Sequence, residues 1–142
     1  MAIKNYTTKL SALQSVAKIQ EALISHGAVG IQMMYDRDQR ISSLAFALPF
    51  KDGKNLSFQL PCEWRKFQQV LINQGIKRSG EDEYAYRVAW ANLKDWVLAQ
   101  MALYETEIVT MPQIFLPFVV TKNGTLFDQF KDKGQLLLDS GK

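Results

Sequence analysis

The sequence predicts an α+β fold in which a three-stranded antiparallel sheet has helices packed on one face. Three observations support this. Apolar residues recur at helical spacing over residues 11–26 and 81–105. Residues 30–35, 41–50 and 55–60 are typical of strands and are joined by short polar turns. With 142 residues the chain has the usual size of one domain, so we treat residues 1–142 as a single unit with the order α-β-β-β-α-α.

The first helix is predicted over residues 11–26. Ser11 and Gln14 have the spacing of a capping box, in which each side chain bonds the other residue's backbone N–H. Gly27 offers the left-handed conformation that ends many helices. The narrow apolar face of this helix comprises Ala12, Val16, Ile19 and Leu23.

The three strands are predicted to form a meander, because their connections are too short for parallel crossovers. A polar turn at residues 36–40 joins the first pair, and Asp52-Gly53 marks the turn between the second pair. Alternation places one apolar face of the sheet against helices and leaves small and polar groups on the other. The apolar face comprises Leu44, Phe46, Leu48, Leu56, Phe58 and Leu60.

Two helices are predicted after the strands, over residues 61–74 and 81–105. Pro61 is predicted to open a helix over residues 61–74, since proline suits the first helical turn. Residues 81–105 show two adjacent apolar stripes where a surface helix typically shows one, so this helix should be enclosed by its own domain or by a partner. The stripes are Tyr86, Trp90, Leu93, Val97, Met101 and Tyr104, and Ala85, Ala89, Trp96, Ala99 and Leu103. A short last helix is predicted over residues 125–133.

Charge and composition restrict the possible partners and location. The net charge of +3 does not demand a polyanionic partner. Residues 1–80 hold eleven Lys and Arg against five Asp and Glu, whereas residues 81–142 hold six against nine. This asymmetry permits a basic surface on the first half, or docking of the two halves on each other. No signal peptide or apolar run of membrane-spanning length is present, so we expect a cytoplasmic protein without membrane contact.

Candidate catalytic residues are few. His26 is the only histidine and lies at a predicted helix end. Cys62 is the only cysteine, and a single cysteine is most often a small buried hydrophobe. Asp36 and Asp38 could bind a divalent ion, but the neighbouring arginines favour a solvated hairpin tip. We therefore expect no catalytic residues, no cofactor and no metal. An enzyme that uses Cys62, or Asp36 and Asp38, is a third functional hypothesis, after a nucleic-acid-binding and a protein-binding function.

A group of basic residues is the strongest indication of a binding site. Two of them, Arg65 and Lys66, lie in the first turn of a predicted helix, where the helix dipole disfavours cations. A charge placed against its local preference points to an anionic partner, and an ordinary solvated face is the alternative. The predicted nucleic-acid-binding residues are Arg65, Lys66, Lys77, Arg78, Lys51 and Lys54.

Residues 11–74 resemble the double-stranded-RNA-binding domain in the order of their elements. That family contacts nucleic acid partly through basic residues at the start of its second helix, the place that Arg65 and Lys66 would take here. The chain departs from the family between the first two strands, where DRDQR replaces a histidine-bearing loop.

A second resemblance lies in the sequence itself. The run AYRVAWANLKDWVLAQMALYE, the following IFLPFVV and the opening IKNYTTKLSA are similar to small proteins encoded by bacteriophages, prophages and related mobile elements. The resemblance implies a bacterial cytoplasm and carries no functional residues.

The sequence thus leads to two expectations. The first is a non-catalytic accessory protein of a phage or mobile element that binds DNA, RNA or a protein acting on them. The alternative is a protein-interaction or homo-oligomeric module without nucleic-acid contact. Its contact surface would comprise Tyr86, Trp90, Trp96, Tyr104 and the IFLPFVV segment of residues 114–120.

Overall fold

The computed structural model describes residues 1–140, with side chains up to residue 134, and it confirms the α+β fold. The helices are α1 (Ala12–Ser25), α2 (Trp64–Asn73), α3 (Asp82–Glu105), α4 (Met111–Phe115) and α5 (Leu126–Ser140). The strands are β1 (Gly30–Tyr35), β2 (Ile41–Pro49), β3 (Asn55–Pro61), β4 (Val120–Thr121) and β5 (Gly124–Thr125). In the described part of the chain, no helix is both long and apolar enough to cross a bilayer.

The main sheet has the order β1-β2-β3 and is antiparallel throughout, as predicted. Phe46 on β2 lies opposite Ile31 on β1 and Phe58 on β3. The rings of Phe46 and Phe58 stack with their centroids 5.1 Å apart. This register places the apolar residues of β2 and β3 on one face, which is buried against the helices.

The predicted caps of α1 are present. The Ser11 hydroxyl accepts the backbone N–H of Gln14 at 3.1 Å, and the Gln14 side chain accepts the Ser11 N–H at 2.8 Å. Gly27 follows the helix with φ of 109°, a left-handed conformation that glycine adopts without strain. Both ends of this helix are therefore specified by adjacent residues.

The predicted start of the second helix at Pro61 is wrong. Pro61 ends β3 opposite Ser43, the N–H of Cys62 still donates to the Ser42 carbonyl at 2.8 Å, and α2 begins only at Trp64. Because N–H groups alternate in direction along a strand, the nitrogen of Pro61 points away from β2 and needs no hydrogen bond. Proline is as acceptable there as in a first helical turn.

The α3 helix packs against α1, α2 and the inner face of the sheet. Trp90 is fully buried, and its Nε1–H donates to the Ile41 carbonyl at 3.1 Å. The hydroxyl of Tyr86 accepts the N–H of the same residue, Ile41, at 2.8 Å. Two aromatic side chains of α3 thus satisfy the backbone at the start of β2, where the ladder to β1 is irregular.

The C-terminal part closes the far side of the core. Phe115, at the end of α4, is fully buried, and Val119 forms an isolated bridge with Phe58 of β3. The turn predicted at Asn123-Gly124 lies at residues 122–123, between β4 and β5, and Gly124, the first residue of β5, has φ of 97°. The last helix, α5, is longer than predicted, because the chain kinks at Lys133 and continues as helix to Ser140.

Candidate functional site

A cleft of about 630 Å³ opens between the N-terminal segment, the loop after α2 and the first turns of α3. Four cationic side chains line it, and none of the described residues that line it is acidic. The cations are Lys9, Lys77, Arg78 and Arg87. We call this site the basic cleft.

The first wall of the basic cleft, residues 6–9, is fixed by contacts of the preceding residues with α3. The Asn92 side chain donates to the Lys4 carbonyl at 2.7 Å, and the Asn5 side chain donates to Asp95 at 2.9 Å. The ammonium of Lys4 lies 3.3 Å from the same carboxylate. Burial alone would raise the pKa of Asp95, but the hydrogen bonds from Asn5 and the lysines hold it below its usual value. The N-terminal segment is therefore attached to the helix surface.

The second wall begins where α2 ends. Gly75 has φ of 67°, its N–H donates to the Ile72 carbonyl at 3.0 Å, and the Ile76 N–H donates to the Leu71 carbonyl at 3.1 Å. This pair of bonds is the Schellman arrangement, which reverses the chain direction after a helix. The two residues that follow Ile76 are both cationic, and both line the basic cleft.

Arg78 is held in a defined orientation. Its backbone φ is 69°, a conformation uncommon for a residue with a long side chain. Its guanidinium donates two hydrogen bonds to Glu81, at 2.7 and 3.2 Å, and lies 5.5 Å from the centre of the Tyr84 ring. The hydrogen bond from Arg78 holds the pKa of Glu81 below its usual value, so the pair is ionised at neutral pH.

The third wall is α3, which contributes Arg87. The Nε of Arg87 is buried and has no hydrogen-bond partner among the described residues. Within residues 1–134, neither Arg87 nor Lys9 nor Lys77 forms a salt bridge. Three of the four cations therefore lack a carboxylate partner in this part of the chain, and an anion such as phosphate would supply the missing acceptors.

The predicted basic residues at the start of α2 are already paired. Arg65 lies 3.0 Å from Asp38 and 3.7 Å from Asp82, and Lys66 forms an ion pair with Glu63. These contacts explain how cations are tolerated in a first helical turn: neighbouring carboxylates compensate the unfavourable helix dipole. The unusual position of Arg65 and Lys66 thus has a structural explanation.

The remaining two predicted residues, Lys51 and Lys54, lie at the turn between β2 and β3. The seven residues of β3 separate this turn from the start of α2 by roughly 20 Å. The six predicted residues therefore occupy three places, and only Lys77 and Arg78 lie in the basic cleft. Sequence reasoning missed Lys9, which is far from the others along the chain, and Arg87, which follows Arg78 by nine residues but lies within the apolar stripes of the long helix.

The predicted interface residues also divide. Trp90 is 0% exposed and Tyr86 is 8% exposed, so both belong to the core and offer no surface to a partner, contrary to the prediction. Trp96 and Tyr104 are half-buried, and Trp96 packs edge-on against Phe115 at 5.9 Å. The double stripe on this helix is largely explained by packing within the domain.

The candidates for catalysis have structural roles. Cys62 is 4% exposed, and burial raises the pKa of its thiol to about 12, so it stays protonated and enclosed. Asp36 accepts hydrogen bonds from the Trp64 indole at 3.0 Å and from the N–H groups of Asp38 and Arg40. Burial opposes these bonds, yet they hold its pKa below the usual value. No group of three metal-ligating side chains occurs among the described residues.

His26 links the ends of α1 and α3. Its Nδ1 lies 2.6 Å from the Ala22 carbonyl, and its Nε2 lies 2.8 Å from a carboxylate oxygen of Glu105. Two acceptors require both ring nitrogens to donate, which is the charged form. The Ala22 carbonyl, followed by Glu105, raises the pKa of His26 against the effect of burial. The position of His26 at the C-terminal end of α1 therefore accounts for a histidine at this place in the chain.

Comparison with protein families, with curated proteins and with solved structures finds no match to this chain. The geometry of the basic cleft is therefore the observation from which a function is inferred.

Proposed function

We propose that the protein is a non-catalytic accessory protein that binds the phosphate backbone of nucleic acid, with the basic cleft as the binding site. One observation supports this above all. Four cations from three segments of the chain line one cleft without an acidic lining residue, and three of them form no ion pair within residues 1–134. The resemblance to small proteins of bacteriophages and mobile elements favours an accessory role in such an element.

The electrostatics of the cleft support an anionic ligand. Bringing like charges together is unfavourable, and a phosphate group would relieve this repulsion, because its oxygens accept charge-assisted hydrogen bonds from the cations of the cleft. Arginine is the side chain best suited to such contacts, since its planar fork matches phosphate oxygens.

The proposed site includes only part of the set of basic residues that the sequence predicted. Arg65 and Lys66 would have to leave Asp38, Asp82 and Glu63 to contact phosphate. Lys51 and Lys54 lie at the far turn of the sheet. Under this proposal the affinity therefore depends mainly on Lys9, Lys77 and Arg87, while Arg78 stays paired with Glu81.

A fluorescence anisotropy titration with labelled DNA and RNA, at salt concentrations from about 50 to 200 mM, tests the proposal. The wild-type protein should bind at low salt and weaken steeply as salt rises. The double variant Lys9→Gln, Lys77→Gln should bind more weakly, with a slope of log K against log salt reduced by about 1.4 for a single strand.

A matched control is Lys51→Gln, Lys54→Gln, which removes the same charge at the far turn of the sheet. It should bind nearly as well as wild type. Absence of binding to any nucleic acid at low salt would refute the proposal. Equal losses in the two double variants would show that overall charge, and not the cleft, is responsible.

The alternative function, a protein-interaction or homo-oligomeric module, is supported by a different surface. Leu98 and Leu103, in the second half of α3, are each 40% exposed. Static light scattering at high protein concentration separates the two functions cheaply. A strict monomer removes the homo-oligomeric version, and a dimer that dissociates in Leu98→Glu, Leu103→Glu would support it.

A further inference from the structure

We propose that the basic cleft takes single-stranded nucleic acid in preference to duplex, with one base stacked on the ring of Tyr6. This inference rests on the proposed function and adds the class of nucleic acid to it. Tyr6 lines the cleft beside Thr7, Thr8 and Lys9 and is 42% exposed. The same wall therefore offers an aromatic face, hydroxyl groups and a cation.

The position of Tyr6 is fixed while its ring remains open. Its carbonyl accepts a hydrogen bond from the Tyr84 hydroxyl, and the N–H of Thr8 donates to the Asn5 carbonyl at 2.9 Å, which closes a turn around Tyr6. In the described part of the chain, no aromatic ring or cation stacks on the ring of Tyr6. A ring on a fixed backbone loses little freedom when a base stacks on it.

The second tyrosine of the cleft differs from Tyr6. Tyr84 is 5% exposed, and the Arg78 guanidinium already lies over its ring. It forms part of the floor and offers no free face. Tyr6 is therefore the side chain on which a base would stack.

The distribution of charge on the protein favours a single strand of nucleic acid over a duplex. A double-stranded-RNA-binding domain spans about 16 base pairs and contacts the backbone at several separate places. Here Lys9, Lys77 and Arg87 share one cleft, the cations in the first turn of α2 are paired with Asp38, Asp82 and Glu63, and Lys51 and Lys54 lie at the turn between β2 and β3. This arrangement matches a few phosphates of a single backbone.

Base stacking on Tyr6 also requires an unpaired base. In a duplex the faces of the bases are covered by their neighbours, whereas in a single strand they are free to stack on aromatic side chains. The hydroxyls of Thr7 and Thr8 suit sugar or phosphate oxygens, which carry no sequence information. We therefore expect weak sequence preference.

Anisotropy competition with three ligands of equal length tests the inference on the wild-type protein. They are a single-stranded oligothymidylate, the same strand annealed to its complement, and an abasic single strand with the same phosphates. The single strand with bases should compete at least about fivefold better than either of the others. Equal competition by all three would overturn the inference.

Variants of Tyr6 provide a second readout. Tyr6→Ala should weaken binding to the single strand by about five- to a hundredfold and leave binding to the abasic strand unchanged, whereas Tyr6→Phe should behave as wild type. The matched control is Tyr35→Ala, which removes another exposed tyrosine, 58% exposed, at the end of β1. If Tyr6→Ala binds the single strand as well as wild type while the Lys9→Gln, Lys77→Gln variant still binds more weakly, stacking on Tyr6 is refuted. Phosphate binding in the cleft would then still stand. Absence of binding to every ligand would instead refute the proposed function.

Discussion

The two halves of α3 have similar apolar periodicity but very different surroundings. In residues 82–93 the buried side chains are Tyr84, Ala85, Tyr86, Val88, Ala89, Trp90 and Ala91. In residues 94–105 they are Val97 and Met101. The second stripe shows the contrast best, because Ala89 is fully buried while Ala99 and Leu103 are exposed. An apolar stripe thus shows which face prefers burial, but not whether the fold covers it.

The difference follows from the neighbours of α3. The α1 helix accompanies it at both ends, since Ser11 and Glu83 line the same cleft and His26 bonds Glu105. The α2 helix, however, ends at the loop that leads into α3 and so lies along its first half, where Gln68 bonds Asp82. The first half is enclosed on more sides as a result.

The basic cleft lies on the enclosed half. Tyr84 and Arg87 come from its first two turns, and Asn92 fixes the N-terminal segment above them. A binding site is held more precisely on a packed element than on a mobile one. The exposed half contributes no lining residue to the cleft, although its Asp95 holds the N-terminal segment through Asn5 and Lys4. Substitutions in its later turns therefore test the two halves independently.

The largest difference is expected for truncation of large side chains. Trp90→Ala should lower the free energy of unfolding by about 3–5 kcal/mol, because it leaves a cavity and an unpaired Ile41 carbonyl. Leu103→Ala, in the exposed half, should change it by about 0.5 kcal/mol or less. Urea unfolding followed by circular dichroism measures both. Similar losses in the two variants would show that the exposed half is covered in solution.

Enlarging a small residue tests the same contrast in the opposite direction. Ala89→Leu should destabilise the protein by about 1–3 kcal/mol, because a fully buried alanine has no room for further methyl groups. Ala99→Leu, the matched change on the same stripe, should have almost no effect. Thermal unfolding of the two variants gives the comparison directly, and a destabilised Ala99→Leu would contradict it.

Removal of single hydroxyl groups sharpens the comparison. Tyr86→Phe should lower the free energy of unfolding by about 1 kcal/mol or somewhat more, because it leaves the buried Ile41 N–H without an acceptor. Tyr104→Phe should be neutral, since the Tyr104 hydroxyl makes no hydrogen bond within the described residues. Chemical denaturation measures the pair, and an equal loss in both would refute this assignment.

The smallest expected effect is a pH-dependent one at the end of the exposed half. The folded-state pKa of His26 is raised, so its contribution to stability is fully present below the unfolded-state value of about 6.5 and is lost as pH rises through the folded-state value. His26→Gln should therefore cost about 0.5–1.5 kcal/mol at acidic pH and much less at alkaline pH. Unfolding curves for both proteins across this range test the sign, and a larger cost at alkaline pH would contradict it.

Much of the fold was predictable because its signals are local. The capping box of Ser11 and Gln14, the left-handed Gly27 and the turn at Asp52-Gly53 each depend on a few adjacent residues, and all are present. The error at Pro61 has the same origin, because a proline suits both a strand edge and a helix start. Only the neighbouring strand distinguishes the two.

The candidate site was predictable only in part. Lys77 and Arg78 follow a recognisable helix end and were identified, whereas Lys9 and Arg87 were not. Arg65 and Lys66 were chosen for an unusual position, but carboxylates from the β1–β2 turn and from α3 pair with Arg65. Ion pairing between distant segments is not visible in sequence spacing.

By itself the sequence determined the order of the three main strands and the longer helices, the caps of α1 and the buried face of the sheet, because hydrogen bonding and side-chain alternation act between near neighbours. Tertiary structure alone decided which half of α3 is covered and which cations share a cleft. The contacts of Tyr84 with Tyr6 and of Asn92 with Lys4 join residues 78 and 88 positions apart. Such contacts form only when the helices pack, and no local pattern specifies them.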